Sequence, residues 1–546
     1  MQIWYNICME IKKDVNEKSI DISSLSRDEM EEMLTEYMDR NEALELENAW
    51  LIEQIRANKK KIYGTSSEKN MINPDEQLSF FMNEAETFSD PEAHEPALKD
   101  VKKRHKAKGA KKAKVKNVPV KIVEYRLSPE DQICPECGHR LHEMKKTVRD
   151  EIEVVPARFT VKRHVSYTYA CRNCESNGIK GTIITAPSPK ALFRNSLCSS
   201  SLLAHIITQK YVYALPLNRQ EQMFRRYGME LSRQTLSNWV IAGSKYLARL
   251  YGRMKCHLIN EDIIHADETK LEVINEPGRK ATQESYMWVY CSGKHSAPCV
   301  LYDYEPGRGS KYPTGFLEDF SGYLQTDGYS GYNQICTDKD RKAGPVISAG
   351  CFAHARRKFT DALAVAGKSP SPNISQGIRY CDALFAIEKE CIDDTPEVRA
   401  SYRNEHSAPL LDEYFAWVKE MSSKVLPKSK LGEAITYSRN QEQQLRRYLE
   451  DGRLEISNNI AERAVKPFVI GRKNWLFCNT PHGADASAIS YSIVETAKGN
   501  GLEPFAYLTH VFDVMSQTEG ITDEQIDSLL PWSDEIPENC REGQHQ

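Results

Sequence analysis

The 546-residue chain contains no apolar run near the roughly 18–20 residues that a membrane-spanning helix needs. Its first residues, MQIWYNICMEIKKDV, lack the basic start and the small-residue cleavage site of a secretory signal. Eleven of its 15 cysteines follow no spacing pattern, which is typical of proteins from a reducing compartment. We therefore expect a cytoplasmic protein with no membrane segment. The length exceeds what one hydrophobic core supports, so several domains are expected.

Glycine and proline are absent from residues 25–62, which are rich in helix-forming side chains. A heptad pattern runs through this stretch, with Met30, Tyr37, Leu44, Leu51 and Asn58 at d and Leu34, Asn41, Asn48, Ile55 and Ile62 at a. Asparagines at a cost stability but favour one register and a dimer. The pattern predicts a leucine-zipper-like coiled coil within residues 1–69 that joins two copies. A single helix packed on its own domain is the alternative.

Lysine and arginine are absent from residues 70–98, whereas residues 99–116 contain ten of them. Such an acidic-then-basic linker, over residues 70–120, cannot fold alone but gains free energy by displacing counterions from a phosphate backbone. The DNA-binding candidates in it are Lys103, Arg104, Lys111 and Lys112. The alternative is a solvated linker.

Two CxxC pairs, CPEC and CRNC, lie in a predicted module over residues 121–185. They contain Cys134, Cys137, Cys171 and Cys174, with 33 residues between the pairs. Four thiolates satisfy one tetrahedral zinc ion. The residues between the pairs alternate as strands do, so we predict a zinc ribbon-like module. A redox dithiol, two unrelated turns, or the nearby His139 and His142 as ligands remain alternatives.

The sequence RQEQMFRRYGMELSRQTLSNWV, within a helical region predicted over residues 186–255, has the spacing of a helix, a glycine turn and a second helix. Gly228 would make the turn and Ser232 would cap the second helix. That helix would expose Arg233, Gln234 and Asn238 for DNA contact. A helical hairpin without DNA contact is the alternative.

From Glu261 the sequence changes to short β-rich runs, and the short joins between the first three favour an antiparallel meander. The predicted order βββαβαβα is that of a ribonuclease H-like domain, over residues 256–480. Asp267 of HADET lies on the first strand, and Asp327 of LQTDGYSGY lies at the end of the fourth. A crossover makes these strands neighbours. Their carboxylates would then meet and bind Mg²⁺ or Mn²⁺, which prefer oxygen ligands.

Glu462 of LEISNNIAERAVKPF is the best candidate for the third acid. It lies on a predicted helix that starts near residues 457–459, whose side chains would cap it, and the cations Arg472 and Lys473 follow. Its rivals are Glu268, Glu272, Glu455 and Glu495.

The chain resembles the transposases of insertion sequence family 66. The match runs in order from about residue 25 to 515 and is carried by KIYGTSSEKN, CPECG, KYVYALPLNRQEQMFRRYGMELSRQTLSNWV, HADET, LQTDGYSGY, GCFAHARRKF, GRLEISNNIAERAVKPFVIGRKNWLF and YSIVETAKGNGLEPFAYL. This resemblance implies a DDE transposase core with a helical insertion before the glutamate, an N-terminal zipper and a zinc-binding segment. Carried over residue by residue, it assigns the catalytic metal ions to Asp267, Asp327 and Glu462.

The string GCFAHARRKF adds further candidates. Arg356 and Arg357 belong to a basic helical patch that either contacts the DNA backbone or is a solvated face. Cys351 and His354 would need two more ligands for a metal site, so a structural or positioning role is favoured. Trp475 would either stack on a base or fill the core, and the core is favoured.

We thus expect a multidomain α+β protein with an N-terminal coiled-coil helix, a zinc ribbon-like module, a helix-turn-helix-like region and a ribonuclease H-like α/β core. A helical insertion is expected at about 360–450, and a helical segment and tail at 481–546. The expected function is a DNA transposase that cuts the ends of its element and joins them to target DNA, as a homo-oligomer and with possible accessory proteins. A nuclease or resolvase without strand transfer and a catalytically decayed DNA-binding protein are the alternatives.

Overall fold

The structure is a computed structural model that describes residues 159–170, 183–185, 188–280, 282–366, 371–518 and 520–543, together with scattered positions between 35 and 55. The chain divides into two compact units. One contains Met1–Met82 and Cys351–Gly452, and the other contains Asn83–Gly350 and Arg453–Gln546. None of the helices in the described ranges is long and apolar enough to cross a membrane.

The second unit begins with a two-stranded antiparallel sheet of β1 (Thr168–Ala170) and β2 (Ile183–Thr185). The strand alternation predicted upstream of Cys171 is only partly found, because residues 159–167 form no strand. Phe159 instead packs edge-on against Phe224, with ring centroids 5.5 Å apart. Residues 159–167 therefore contact a helix that follows in the chain and do not extend the β1–β2 sheet.

Three helices follow: α1 (Ser200–Tyr211), α2 (Leu217–Arg226), which contains Phe224, and α3 (Arg233–Ile259). The sequence predicted that the helical region would end at about residue 255, and α3 runs on to Ile259. Leu250, Met254 and Leu258 lie four residues apart and are all fully buried. This spacing keeps one apolar stripe facing the core through the additional turns.

The central sheet has five strands in the order β5-β4-β3-β6-β7. The strands are β3 (Ile263–Glu272), β4 (Glu284–Ser292), β5 (Val300–Glu305), β6 (Gly322–Gln325) and β7 (Val346–Ala349). The predicted antiparallel meander of the first three strands is confirmed. Strands β3 and β6 pair in parallel, as the predicted crossover requires. A mixed five-stranded sheet in this order is consistent with a ribonuclease H-like core.

Short helices connect the later strands. These are α4 (Lys311–Phe316), a 3₁₀ turn (Ser330–Tyr332) and α5 (Asn333–Thr337). After the sheet come α11 (Asn459–Trp475), α12 (Pro481–Gly499), α13 (Pro504–Gln517), α14 (Asp523–Asp527) and a 3₁₀ turn (Glu538–Cys540). Tyr290 of β4 stacks on Phe316 of α4, with ring centroids 3.9 Å apart. The apolar core therefore extends from the sheet into the connecting helices.

Helix α12 protects the edge strand β5. The hydroxyl of Ser492 accepts a hydrogen bond from the backbone N–H of Tyr302 at 2.8 Å. The hydroxyl of Thr496 accepts from the N–H of Val300 at 3.0 Å and donates to the carbonyl of Val300 at 3.1 Å. Backbone groups that an edge strand would otherwise expose are thus satisfied by side chains of a packed helix.

The first unit is helical in its described part. Its helices are α6 (Phe352–Ala366), α7 (Pro372–Glu390), α8 (Pro396–Ser422), α9 (Lys430–Asn440) and α10 (Glu442–Arg446), followed by a 3₁₀ turn (Arg447–Leu449). The buried Glu388 of α7 accepts hydrogen bonds from Arg399 and Arg403 of α8. Arg403 also donates to the carbonyl of Tyr448 at 2.8 Å. Buried charges that are paired in this way fix how the helices align.

The N-terminal helix is described only at scattered positions, which are all helical. Three of its predicted seam side chains, Leu44, Leu51 and Ile55, are 49%, 45% and 55% exposed. Asn41 and Asn48 are exposed as well. The predicted seam is therefore open to solvent at its described positions.

Candidate functional site

Asp267 lies within β3, where the ladder pairs it with Val289 of β4. Its Oδ1 accepts a hydrogen bond from the backbone N–H of Glu268 at 2.8 Å. Burial raises the pKa of the Asp267 carboxyl well above its ordinary value, and the charges of Glu268, Asp327 and Glu462 raise it further. Asp327 and Glu462, the other two candidate acids, therefore both lie within electrostatic range of the Asp267 carboxyl.

Asp327 follows β6 by two residues, slightly beyond the strand end that the sequence predicted. The parallel ladder pairs Ile263, Ile264 and His265 with Tyr323, Leu324 and Gln325. This ladder ends two residues before both Asp267 and Asp327. The two acids therefore lie at the same edge of the paired strands.

A tight turn holds the Asp327 side chain. Its Oδ1 accepts a hydrogen bond from the backbone N–H of Tyr329 at 2.9 Å, a typical aspartate turn. Gly328 between them has a φ of 85°, a backbone conformation that glycine adopts without strain. The glycine of LQTDGYSGY thus serves the turn that orients the carboxylate.

Glu462 lies in the first turn of α11, where its backbone N–H donates to the carbonyl of Asn458 at 3.2 Å. The sequence predicted that side chains at 457–459 would cap this helix, and that prediction is wrong. Asn458 occupies the N-cap position but makes no side-chain cap hydrogen bond. Its side chain instead contacts His265 and the carbonyl of Ala266 on β3.

The rival acids have other interactions. Glu268 accepts hydrogen bonds from Arg308 at 2.8 Å and from the hydroxyl of Tyr332 at 2.9 Å. Glu495 accepts from Lys498 at 2.9 Å. Glu272 is exposed at the end of β3, and the carbonyl of Glu455 accepts from Gln325. Glu268 and Glu495 therefore already serve in ion pairs.

Arg308 was missed by reasoning from the sequence. The guanidinium of Arg308 lies over the ring of Tyr329, 3.7 Å from its centroid. Tyr332 is 2% exposed and packs edge-on against Trp288. Both tyrosines of LQTDGYSGY thus have packing roles, and the only signal in the sequence was their closeness to Asp327.

The predicted helix-turn-helix has its expected local geometry. Gly228 has a φ of 79° between α2 and α3. Ser232 caps α3 by accepting from the N–H of Thr235 at 3.2 Å. Arg233, Gln234 and Asn238 are exposed on the first turns of α3, and Gln234 donates to Asn238 at 2.9 Å.

Other candidate DNA contacts are partly engaged within their own units. Arg356 pairs with Asp382 at 2.6 Å, and Arg357 contacts His354 at 3.0 Å. On the last turn of α11, Lys473 is exposed, whereas burial lowers the pKa of the half-buried Arg472. Arg356 therefore presents less free charge than the sequence indicated.

Trp475 at the end of α11 packs edge-on against Phe468, with ring centroids 5.4 Å apart. It also belongs to the partly buried shell around the core. The favoured core role is therefore supported.

Two groups of predicted binding residues lie outside the described residues. They are the zinc ligands Cys134, Cys137, Cys171 and Cys174, and the basic arm with Lys103, Arg104, Lys111 and Lys112.

Family models match most of the chain. Residues 195–486 match a model described as Transposase IS66 family, which spans more than half of the chain and all three candidate acids. Residues 492–532 match the IS66 C-terminal element. Residues 131–175 match the zinc-finger binding domain of transposase IS66, which includes all four predicted zinc-ligand cysteines. Residues 50–123 match the leucine-zipper model described as transposase C of IS166 homeodomain.

Curated relatives come from Sinorhizobium fredii. The uncharacterized protein y4jD is 32% identical over 414 residues, which cover 74% of this chain and 79% of that protein. The uncharacterized protein y4qI is 32% identical over 486 residues, which cover 86% of each protein. The uncharacterized protein y4hP is 30% identical over 414 residues, or 73% of each protein.

The raised pKa of Asp267 predicts that this site destabilises the protein when no cation is present. A carboxyl whose pKa is higher in the folded state than in the unfolded state loses stability as the pH rises above its ordinary value of 3.8. Asp267→Asn removes that charge, so in EDTA it should raise the unfolding temperature at pH 8 and flatten its dependence on pH. Thermal unfolding at pH 5 to 8 measures this. An unfolding temperature at pH 8 equal to or below that of the wild type would contradict it.

Proposed function

Because the chain belongs to the IS66 family of DDE transposases, whose activity is transposition of the insertion sequence, we propose that Asp267, Asp327 and Glu462 are its three catalytic acids. The observation that carries the proposal is the geometry around β3. Its parallel ladder with β6 ends two residues before both Asp267 and Asp327, and Asn458, one helical turn before Glu462, donates a hydrogen bond to the carbonyl of Ala266 on β3. The charges of Asp327 and Glu462 also help to raise the pKa of Asp267.

The donor set suits hard divalent cations. Mg²⁺ and Mn²⁺ take oxygen ligands, which three carboxylates offer. Burial raises the pKa of Asp267, and repulsion from the neighbouring acids raises it further. A bound cation would relieve that repulsion. Two such cations, when bound, supply charge neutralisation and activation of the attacking oxygen in phosphoryl transfer.

The protein groups hold this donor set in place. Asp267 is fixed by the β3–β4 ladder, and Asp327 by the turn at Gly328. In the proposed reaction, water first cleaves the phosphodiester at the element end and leaves a 3′ hydroxyl. That hydroxyl then attacks a phosphorus atom of the target DNA, so one P–O bond forms as another breaks. No covalent protein–DNA intermediate is needed.

The three acids can be tested one by one in the full chain. We expect Asp267→Asn, Asp327→Asn and Glu462→Gln each to lower Mg²⁺-dependent cleavage and strand transfer of end-containing DNA by at least about 1,000-fold, as expected for catalytic groups. Binding of the same DNA in a gel-shift assay should be retained. Glu495→Gln, which changes an ion-paired acid on α12, is the control and should keep both activities.

Two outcomes would overturn parts of this proposal. Cleavage and joining by Asp267→Asn at the wild-type rate would remove the catalytic assignment. Cleavage by the wild type without joining would identify a nuclease or resolvase.

We further propose that the first turns of α3 recognise the element ends. Arg233, Gln234 and Asn238 are exposed at the start of a capped helix that follows a glycine turn, an arrangement that fits a major groove. Gln234 and Asn238 are held together by their hydrogen bond, which orders both amides.

Removal of one of these side chains should weaken DNA binding. We expect Arg233→Ala to raise the dissociation constant for end DNA at least about tenfold, within the range of a base or phosphate contact. Lys245→Ala removes the same charge from the exposed side of α3, several turns further on, and is the matched control. Equal effects of the two substitutions would indicate a general charge effect and not recognition by the start of α3.

We propose that the N-terminal helix pairs with the same helix of a second copy. Leu44, Leu51 and Ile55 lie on one heptad seam, and each is about half exposed in the single chain. We expect sedimentation of the full chain to show a dimer or larger assembly, and Leu44→Glu with Leu51→Glu to give monomers. A monomeric wild type at micromolar concentration would overturn this pairing.

For the parts outside the described residues, the spacing of the cysteines and the zinc-finger match support Cys134, Cys137, Cys171 and Cys174 as the ligands of one zinc ion. The density of lysines in the basic arm supports phosphate contact. We propose that the protein acts in the cytoplasm, because its DNA substrate lies in that compartment.

A further inference from the structure

Three buried polar side chains lie just before the three proposed acids. His265 precedes Asp267 by two residues, Gln325 precedes Asp327 by two, and Asn458 precedes Glu462 by four. All three polar side chains are 0% exposed. A strand keeps residues two apart on one face, and a helix turn brings residues four apart together. Each polar residue therefore lies close in the chain to one of the acids, on the same strand for Asp267, at the end of the preceding strand for Asp327 and one helical turn earlier for Glu462.

Asn458 joins the start of α11 to β3. Its Nδ2 donates to the carbonyl of Ala266 at 2.8 Å. Its Oδ1 lies 3.1 Å from His265 Nδ1. Since an amide oxygen only accepts, Nδ1 of His265 holds the proton and donates. Burial lowers the pKa of His265 to about 4, so the ring is uncharged at neutral pH.

Gln325 joins β6 to the segment that leads into α11. Its Nε2 donates to the carbonyl of Glu455 at 2.5 Å and to that of Gly350 at 2.9 Å. Gln325 is also the ladder partner of His265. The segment from Glu455 to Asn458 is therefore attached to β6 at one end and to β3 at the other.

We propose that His265, Gln325 and Asn458 form a polar clamp whose role is to position the three acids relative to one another. Buried polar groups cost free energy unless they are hydrogen-bonded, and apolar side chains would fill the same space without that cost. What the polar set adds is one defined alignment of β3, β6 and α11. Glu462 follows that alignment directly, because its N–H bonds to the carbonyl of Asn458. This inference rests on the proposed function of the acids.

The chain offers a matched control for a merely structural role. Gln220 of α2 is also 0% exposed. Its Nε2 donates to the carbonyls of Leu215 at 3.0 Å and Ile206 at 3.2 Å. Neither partner lies on an element with a proposed acid. Gln325→Met and Gln220→Met each remove two hydrogen bonds to backbone carbonyls from a fully buried side chain. Their effects on the free energy of unfolding should therefore be similar.

The test uses the full chain with three readouts. The cleavage rate is measured with saturating end DNA in Mg²⁺, the affinity for that DNA is measured in EDTA, and amide hydrogen exchange of residues 455–465 is measured without metal. We expect Gln325→Met and Asn458→Ala to lower the cleavage rate about 10- to 100-fold, as outer-shell substitutions do. DNA affinity should stay unchanged, and exchange in 455–465 should become faster. Gln220→Met should leave the rate per folded molecule and this exchange unchanged.

Asn458→Asp is a milder variant in case the others fold poorly. It keeps an acceptor for His265 but removes the donor to Ala266, so the same separation of rate from affinity is expected. If Gln325→Met and Gln220→Met lower cleavage equally, or if exchange in 455–465 does not respond, the clamp is overturned while the acids stand. If the wild type and Asp267→Asn cleave equally, the proposed function fails, and the inference fails with it.

Discussion

The parallel pairing of β3 with β6 involves three residues from each strand, and the geometry of the candidate site depends on it. The ladder ends at His265 and Gln325, two residues before the two sheet acids. A shift of one residue would turn one acid to the opposite face of the sheet. The start of β6 is constrained as well, since a Cβ at Gly322 would lie 2.3 Å from the carbonyl oxygen of Asp262. Only glycine permits this approach, at a φ of 136°.

The fold gathers negative charge where burial makes it costly. Of the adjacent acids Asp267 and Glu268, the second receives Arg308 and the hydroxyl of Tyr332. Asp267 keeps a carboxylate whose pKa is raised by burial and by neighbouring acids. Such a local arrangement lowers stability, a cost that is common at catalytic sites and that the proposed cations would offset. The surrounding ladder and the apolar core supply the free energy that keeps it folded.

Much of this arrangement was predictable because it depends on local pattern. Alternating aromatic and β-branched residues indicated the meander, and an aspartate at the end of an apolar strand indicated a functional position. The glycine turn and serine cap before α3 were equally readable. Contacts distant in sequence were not, since His265 and Asn458 are 193 positions apart. From local sequence, Asn458 had the features of a helix cap, because nothing nearby in the chain indicates that its amide is bonded to a strand.

The same sequence separation has a consequence for biosynthesis. The ribosome completes all five strands of the sheet, through Ala349, before it makes the residues of α11. A nascent chain, or one truncated before Asn458, contains Asp267 and Asp327 but lacks Glu462 and the Asn458 amide that bonds to β3. With the three acids as proposed, such a fragment lacks part of the metal site, and the capacity to cut DNA arises only after the chain has been made through α11.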